Sequence, residues 1–368
     1  RLPAGARTLA ERLGERGYST AAVVGAIVLH SDFGLAQGFD VYSDVPREKL
    51  EMDVVEDQRT ATEVVDAALA LVDAGELPAP YFLWVHFFGP HRPLEPPETF
   101  RQRALWGTTP DTPFAELERR LYMAEIAYAD AEVGRLIDGL AVRADDAELL
   151  VACVADHGEA FGEHGEQSHG LQVFDTTMLV PLLLQHPRLP QGLVVERPVS
   201  SADLAPTLLG LLGIDAEGIR GRDLGPLLLD APAARPAEGP VYLETCHSLY
   251  SYGWSPLFAL VEGHLKVVEG PHPAVYDLAR DPNEEVNLAP ERPEALERAR
   301  GVFRGLAAAT RPPERIELAD AEQRALEGLG YVGSAADGGR GAALAPGELD
   351  ARLADPARPG QRHEPGAA

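Results

Sequence analysis

The chain has 368 residues with 58 acidic and 32 basic side chains, which give a formal net charge of -26 at pH 7. This length suits one large domain, or one large and one small domain, and an apolar fraction of 45% excludes a wholly disordered chain. No apolar run approaches the ~20 residues that a membrane-spanning helix needs. The acidic balance argues against nucleic acid or an anionic membrane surface as the main partner.

The predicted elements alternate between helices and strands from the N-terminus onward. Thr8 is the expected N-cap of a short helix that ends near Gly17, and a strand follows over residues 19–24. Residues 59–74 predict a second helix. The almost continuously apolar run YFLWVHFF, residues 81–88, predicts a strand that is covered on both faces.

The same alternation continues through the middle of the chain. Apolar residues at helical spacing predict a long helix over residues 122–140. Residues 148–155 (ELLVACVA) predict a buried strand in which Cys153 is a small core residue. A third strand is expected over residues 179–184 and a helix over residues 203–212. Strands that alternate with helices predict an α/β layered domain with a largely parallel sheet.

The composition changes near residue 230, where Pro, Ala and Gly become frequent. Short predicted strands and one helix follow, at residues 241–245, 258–261, 265–268 and 290–306. We therefore expect a core domain over residues 1–230 and a smaller α+β subdomain over residues 231–333. Residues 334–368 are rich in Gly, Ala, Pro and charge without periodicity, which predicts a disordered tail.

The densest polar cluster follows the predicted strand over residues 148–155. Asp156 and His157 come directly after that strand, and three of the eleven histidines fall between residues 157 and 169. In open α/β sheets, ligands bind beyond the carboxyl ends of the strands, where a carboxylate and an imidazole can be metal ligands. An aspartate that caps the next helix beside exposed histidines is the alternative. The strand before the motif and the histidines after it favour the metal site.

A second candidate site follows the predicted strand over residues 81–88. In the sequence FGPHRP, His91 lies just past the strand end in a proline-rich loop, which can fix an imidazole over a crevice. The same pattern also fits a histidine on a surface loop, and this motif alone does not decide between the two. Common hydrolase and nucleotide motifs such as G-x-S-x-G, G-x-x-x-x-G-K-[ST] and H-E-x-x-H do not occur in the sequence.

Several motifs, taken in order, resemble the sulfatase family of the alkaline phosphatase superfamily. They include TLAERLGERGYSTAAVVGA (8–26), YFLWVHFFGPHRPLEPP (81–97), VADHGEAFGEHGEQSHGLQVFDTTMLVPLLL (154–184), DLAPTLLGLLGI (203–214) and VYDLARDPNEEVNLA (275–289). The resemblance implies an alkaline-phosphatase-like α/β fold: a layered sheet domain with helices on both faces and a smaller C-terminal α+β subdomain. It also implies a metal-dependent hydrolase of sulfate esters or related phosphate esters.

The resemblance gives roles to four residues. Asp156 and His157 match the family's late pair of metal ligands, which implies one divalent ion: calcium, zinc or manganese. His91 matches the histidine of the family's P-H-x-P loop beside the transferred group. His169 matches the residue that contacts the substrate oxyanion or leaving group, where many sulfatases have lysine. His91 and His169 are therefore the expected catalytic residues.

Two features of the sequence depart from the family pattern. Many sulfatases carry G-K-x-H where this chain has Gly25-Ala26-Ile27-Val28, so two cationic contacts to a sulfate are missing. The family's metal pair is often Asp-Asn with calcium, whereas His157 offers a nitrogen, which moves the preference towards zinc or manganese. Phosphodiesterases, phosphonate ester hydrolases and phosphoethanolamine-type transferases of the same superfamily therefore stay open as alternatives, as does a degenerate, non-enzymatic member.

The family's two early aspartate ligands and its nucleophile have no match in this sequence. We therefore expect that an N-terminal part of the natural protein precedes Arg1 and that this chain alone is inactive. The expected partner is a small anionic ester substrate, without nucleic acid and without a membrane span in this chain. The family resemblance favours an exported or periplasmic location.

Overall fold

The computed structural model describes residue 2 and residues 5–45, 58–143, 148–229 and 239–309. Within these ranges the chain forms two units, of residues 2–149 and 150–309. The expected tail over residues 334–368 lies outside the described residues, as does most of the predicted linker. The domain boundary near residue 230 therefore stays a prediction.

The first unit contains four helices and three strands among its described residues. In chain order these are α1 (Leu9–Gly14), β1 (Ser19–Val24), β2 (Val41–Ser43), α2 (Ala61–Asp73), β3 (Tyr81–His86), α3 (Glu98–Ala104) and α4 (Phe114–Arg143), with 3-10 turns at Ile27–Leu29 and Ser31–Phe33.

Reciprocal capping explains where α1 and α2 begin. The Thr8 hydroxyl accepts the backbone N–H of Glu11 at 3.1 Å, while the Thr8 N–H donates to the Glu11 carboxylate at 2.7 Å. Thr60 and Glu63 form the same pair at the start of α2. Each pair satisfies two backbone donors that the first turn leaves unpaired, so the helix begins at the residue after the threonine.

The strands of the first unit form a parallel sheet in the order β2-β1-β3. Val23 of the central strand packs with Val64 and Val65 of α2 and with Leu136 and Leu140 of α4. Residues of β3 are half-buried throughout, so the expectation of a strand covered on both faces was wrong there. β3 lies at the edge of the described sheet, where solvent also reaches the strand from the side, whereas β1 lies between two strands.

The second unit contains two sheets and five helices among its described residues. In chain order these elements are β4 (Val151–Val154), α5 (Asp175–Met178), β5 (Leu182–Gln185), α6 (Leu204–Leu211), α7 (Gly225–Leu229), β6 (Val241–Thr245), α8 (His247–Tyr252), β7 (Leu257–Glu262), β8 (Leu265–Glu269), β9 (Ala274–Asp277) and α9 (Pro293–Ala309), with 3-10 turns at Glu163–Gly165 and Ser201–Asp203.

The strand before the polar cluster differs from its prediction. β4 pairs with β5, and the two strands are antiparallel rather than parallel. Cys153 is exposed and Val154 is 39% exposed, so the expectation that Cys153 belongs to a core was wrong. An apolar run predicts a strand well, but burial depends on the layers packed against its faces, and the described two-stranded sheet of β4 and β5 leaves the end of β4 exposed.

Strands β6 to β9 form an antiparallel sheet with packing on both faces. On one face, Phe258 and Val275 pack against Phe303 of α9. On the other face, Val173 and Phe174 pack with Ala259, Val268, Ala274 and Tyr276. The segment before α5 therefore rests on this sheet, and it follows directly after the predicted catalytic residue His169. None of the helices in the described ranges has the length and apolarity that crossing a bilayer requires.

Candidate active site

His91 lies in a tight loop after β3, as the sequence predicts. Its backbone N–H donates to the carbonyl of Phe88 at 3.1 Å, and the two rings lie 4.7 Å apart between centroids. The imidazole Nδ1 lies 2.7 Å from the carbonyl oxygen of Arg92. Because a carbonyl only accepts, Nδ1 carries the proton, and Nε2 bears the lone pair of the neutral ring.

Helix α4 supports this loop with two acidic residues. Arg92 forms an ion pair with Glu118. Gly89 lies so close to Glu125 that a β-carbon there would come within 3.2 Å of the carboxylate. Burial raises the pKa of the Glu125 carboxyl. An ion pair to α4 therefore holds the loop at the residue after His91, and Glu125 of the same helix lies against the loop before it.

Asp156 and His157 follow β4 and converge on each other. The backbone N–H of His157 donates to one Asp156 oxygen at 2.9 Å, and the other oxygen lies 3.8 Å from Nε2 of His157. The His157 Nδ1 lies 2.8 Å from the carbonyl of Gly158, so Nδ1 carries the proton in a neutral ring. Two electron-pair donors then face each other, which is favourable when a cation or a proton lies between them.

Gly158 allows the chain to turn at this point. Its N–H donates to the carbonyl of Thr177 at 2.8 Å, and a β-carbon at Gly158 would come within 2.5 Å of the Thr176 carbonyl oxygen. No larger residue fits without a shift of the backbone. The glycine therefore fixes the position of the imidazole that precedes it.

His169 packs directly on His157. The two rings are stacked, with centroids 3.9 Å apart and an interplanar angle of 29°. His169 Nδ1 lies 2.8 Å from a carboxylate oxygen of Glu159, whose side chain is 4% exposed. The carboxylate accepts the Nδ1 proton and fixes both the tautomer and the orientation of the ring. Glu159 had no predicted role, although it lies only two residues after His157.

The second unit contributes another histidine, His247, which was not predicted from the sequence. His247 begins α8, and its ring packs on Gly170, where a β-carbon would lie 3.5 Å from the His247 Cγ. The Thr245 hydroxyl donates to the Gly170 carbonyl. Burial, together with the charge of nearby His169, lowers the pKa of His247. No local pattern marks His247, because its neighbour His169 lies far away in the sequence.

Buried charges anchor the segment that carries His169. Glu166 accepts the N–H groups of Leu171 at 2.7 Å and Gln172 at 3.3 Å, and burial raises its pKa. At the far end, the fully buried Lys266 pairs with Asp175 at 2.7 Å and Glu284 at 2.8 Å. These contacts fix the segment on the sheet of β6 to β9.

Among the residues that the structure describes, no group of three or more His, Cys, Asp or Glu is arranged to hold a metal ion. Asp156 and His157 supply one oxygen and one nitrogen, a donor set that suits a divalent cation, and their 3.8 Å approach fits two ligands of such a site. Zinc sites use about three or four protein ligands. The pair therefore fits part of a metal site, and the identity of the ion stays a prediction.

The structure brings Asp156, His157 and His169 together in the second unit and adds Glu159 and His247 to them. His91 lies in the first unit. The roles of the four predicted residues stay predictions, whereas their local geometry is now defined.

Comparison with known proteins identifies the family. The sulfatase family model matches residues 1–214, more than half of the chain, and the chain belongs to the sulfatase family. Members of this family generally bind a divalent metal and hydrolyse sulfate esters.

The choline-sulfatase of Rhizobium meliloti is 33% identical over 218 residues, which are 58% of this chain and 41% of that protein. Arylsulfatase K of Xenopus laevis is 29% identical over 203 residues, 50% of this chain and 37% of that protein. The chain thus spans less than half the length of these relatives.

Solved structures confirm the predicted fold class. The phosphonate monoester hydrolase of Agrobacterium radiobacter has a TM-score of 0.62 at 21% identity, over 83% of this chain and 80% of that one. A protein solved with its substrate, D-glucosamine-2-N,6-O-disulfate, has a TM-score of 0.61 at 17% identity, over 83% and 82% of the two chains. These similarities show an alkaline-phosphatase-like α/β fold.

Proposed function

We propose that this chain belongs to a metal-dependent sulfuric ester hydrolase and supplies the residues that hold the transferred group. The supporting observation is the arrangement around His169, whose ring stacks on His157 at 3.9 Å while its Nδ1 donates to the buried Glu159 at 2.8 Å. These contacts fix the imidazole, and we take its Nε2 as the atom that meets a substrate.

Asp156 and His157 are the proposed ligands of the divalent ion. When bound, the ion neutralises the negative charge of the ester oxygens and polarises the bond to the leaving group. The hydrogen bond from His157 Nδ1 to the Gly158 carbonyl keeps Nε2 on the side of Asp156. The carboxylate of Asp156 and Nε2 of His157 therefore lie next to each other, immediately after β4.

His169 and His91 are the proposed catalytic residues. Each ring donates its Nδ1 proton to a fixed acceptor, Glu159 for His169 and the Arg92 carbonyl for His91. In this proposal, Nε2 of each ring is the atom that contacts the substrate. From there it hydrogen-bonds a transferred oxygen, or in its protonated form gives a proton to the leaving alkoxide.

The substrate is expected to carry a single negative charge on its transferred group. Ala26 and Val28 stand where many family members have lysine and histidine, and Ala26 is 1% exposed in this structure. These positions offer no cation, so a dianionic phosphate monoester gains less than a sulfate monoester or a phosphate diester. This observation supports sulfate ester hydrolysis first and phosphodiester hydrolysis as the second candidate.

The test compares 4-nitrophenyl sulfate, bis(4-nitrophenyl) phosphate and 4-nitrophenyl phosphate. It uses both the 368-residue chain and the product of the complete reading frame that contains it, with calcium, zinc or manganese and with a chelator. We expect metal-dependent turnover by the complete product, best on the sulfate or the diester, and little by the 368-residue chain. A clear preference for the phosphate monoester would contradict the substrate argument, and full activity in the chelator would contradict the metal.

The role of His91 is tested in the complete product with His91→Ala. We expect kcat to fall by roughly 10²–10⁴-fold, as for a lost general acid, with a smaller loss for substrates that carry good leaving groups. His264→Ala is the matched control, because His264 is exposed on the turn between β7 and β8. Equal activity of the two variants would remove His91 from the mechanism.

A further inference from the structure

An exposed aromatic surface continues from His247 along the second unit. The ring of Tyr252 meets that of His247 edge to face, with centroids 6.1 Å apart, and stacks on Trp254 at 4.9 Å. Tyr252 and Trp254 are 56% and 59% exposed, although both are large and partly apolar. We call these three residues the aromatic platform.

The backbone holds the platform in one conformation. Gly253 is in the left-handed region at φ 66°, and its N–H donates to the Leu249 carbonyl at 2.9 Å. The N–H of Trp254 donates to the Ser248 carbonyl at 3.1 Å, and the buried Ser248 hydroxyl donates to the Ser255 carbonyl at 3.0 Å. The backbone that carries the exposed rings is thus fixed before any ligand arrives, which lowers the entropy cost of binding.

The platform is continuous with the proposed catalytic residue. His247 packs on Gly170, the residue directly after His169, and the Thr245 hydroxyl ties the Gly170 carbonyl to the end of β6. The leaving group of an ester that binds at His169 would therefore lie beside the aromatic platform.

The shape of the platform selects among possible leaving groups. Tyr252 and Trp254 lie at 28° to each other, so the stack covers one face of each ring, while the Trp254 ring stays 59% exposed. A quaternary cation is bound best when several ring faces surround it. A flat exposed face instead suits another planar ring, which adds to the stack by dispersion and offset contact.

We propose that His247, Tyr252 and Trp254 form a leaving-group subsite that binds the planar ring of an aryl sulfate. This inference rests on the proposed function, because it takes His169 to lie beside the transferred group. The platform positions the alcohol side of the ester and takes no part in bond breaking.

Calorimetry on the 368-residue chain tests the subsite without requiring turnover. The probes are 2-naphthyl sulfate, 2-naphthol, methyl sulfate and glucose 6-sulfate. We expect Trp254→Ala to raise the Kd of both naphthyl probes by roughly 5- to 100-fold, as for a lost stacking ring, and to leave methyl sulfate unchanged. Trp254→Phe keeps a ring and should restore most of the affinity.

Trp106→Ala is the matched control, because Trp106 is 83% exposed and lies in the first unit. Equal Kd values for the naphthyl probes in the wild type and Trp254→Ala would overturn the proposal. Trp254-dependent binding of glucose 6-sulfate without such binding of the naphthyl probes would overturn the aryl assignment.

The two naphthyl probes separate the subsite from the proposed function. If the sulfate adds affinity over 2-naphthol and His169→Ala removes that increment, both proposals are supported. If 2-naphthol binds in a Trp254-dependent way but the sulfate adds nothing and the complete product does not turn it over, the proposed function fails while the aryl-binding surface stands.

Discussion

Removal of the buried ammonium of Lys266 should destabilise the segment that carries His169. Lys266 is fully buried in β8 and pairs with Asp175 at 2.7 Å and Glu284 at 2.8 Å, and the Asp175 N–H donates to Glu284 at 2.6 Å. The substitution Lys266→Met keeps the length and the apolar stem of the side chain. It leaves two carboxylates without their common cation.

The expected cost follows from the exposure of the two carboxylates. The side chain of Glu284 is 1% exposed, whereas that of Asp175 is 24% exposed and reaches water more easily. Breaking a buried ion pair by removing one partner costs about 3–5 kcal/mol. Most of this penalty belongs to Glu284, so the double variant Lys266→Met/Glu284→Gln should recover a large part of it.

The penalty should depend on pH in a defined direction. Burial raises the pKa of Glu284 above its ordinary value of 4.5, and Lys266 opposes this rise. In Lys266→Met the opposition is gone, so the folded protein holds the Glu284 proton to higher pH. The stability that this proton provides is present below pH 4.5 and is lost as the pH rises through the folded-state pKa. The deficit of the variant should therefore be larger at pH 7 than at pH 5.

Urea unfolding followed by circular dichroism measures these differences. The control is Arg280→Met, because Arg280 is 86% exposed and its contact with Asp277 is 3.8 Å, a surface pair worth about 0–1 kcal/mol. A Lys266→Met variant as stable as this control at pH 7 would refute the reasoning. So would a double variant that recovers nothing.

Three further predictions concern the site. Glu159→Ala removes the acceptor that orients His169 and should lower kcat of the complete product by roughly 10- to 100-fold with intact folding by circular dichroism; an unchanged kcat would show that the orientation does not matter. Gly158→Ala places a β-carbon 2.5 Å from the Thr176 carbonyl oxygen and should cost about 1–3 kcal/mol in urea unfolding; a neutral result would mean that the turn adapts. Burial raises the pKa of Glu166, so as the pH rises from 4.5 through that pKa the wild type should lose stability relative to Glu166→Gln; parallel stability curves would contradict this.

Local signals in the sequence predicted where helices and strands form well, but they predicted the burial of the side chains less well. The threonine–glutamate pair at Thr8 acts within four residues, and Thr8 was predicted as the N-cap of α1. The second helix was predicted from residue 59, two residues before α2 begins after its Thr60 cap. The apolar run before Asp156 predicted β4, but the exposure of Cys153 depends on which layers cover the strand. Sequence patterns do not encode that information locally.

The same contrast between local signals and tertiary packing holds for the residues of the candidate site. The Asp156–His157 pair and His169 follow a strand and share one short segment, so the sequence could place them together. His247 and Lys266 reach that segment from β6, α8 and β8, through packing that only the folded sheet creates. A lone histidine and a lone lysine in otherwise ordinary elements give no advance sign of such contacts.

The most direct test of the account is kcat/KM for 4-nitrophenyl sulfate in the complete reading-frame product, compared between His169→Ala and the exposed control His264→Ala. The stacked and hydrogen-bonded geometry of His169 predicts a loss of roughly 10²–10⁴-fold in the first variant and no change in the second. Full activity of His169→Ala would contradict the claim that this histidine acts on the transferred group.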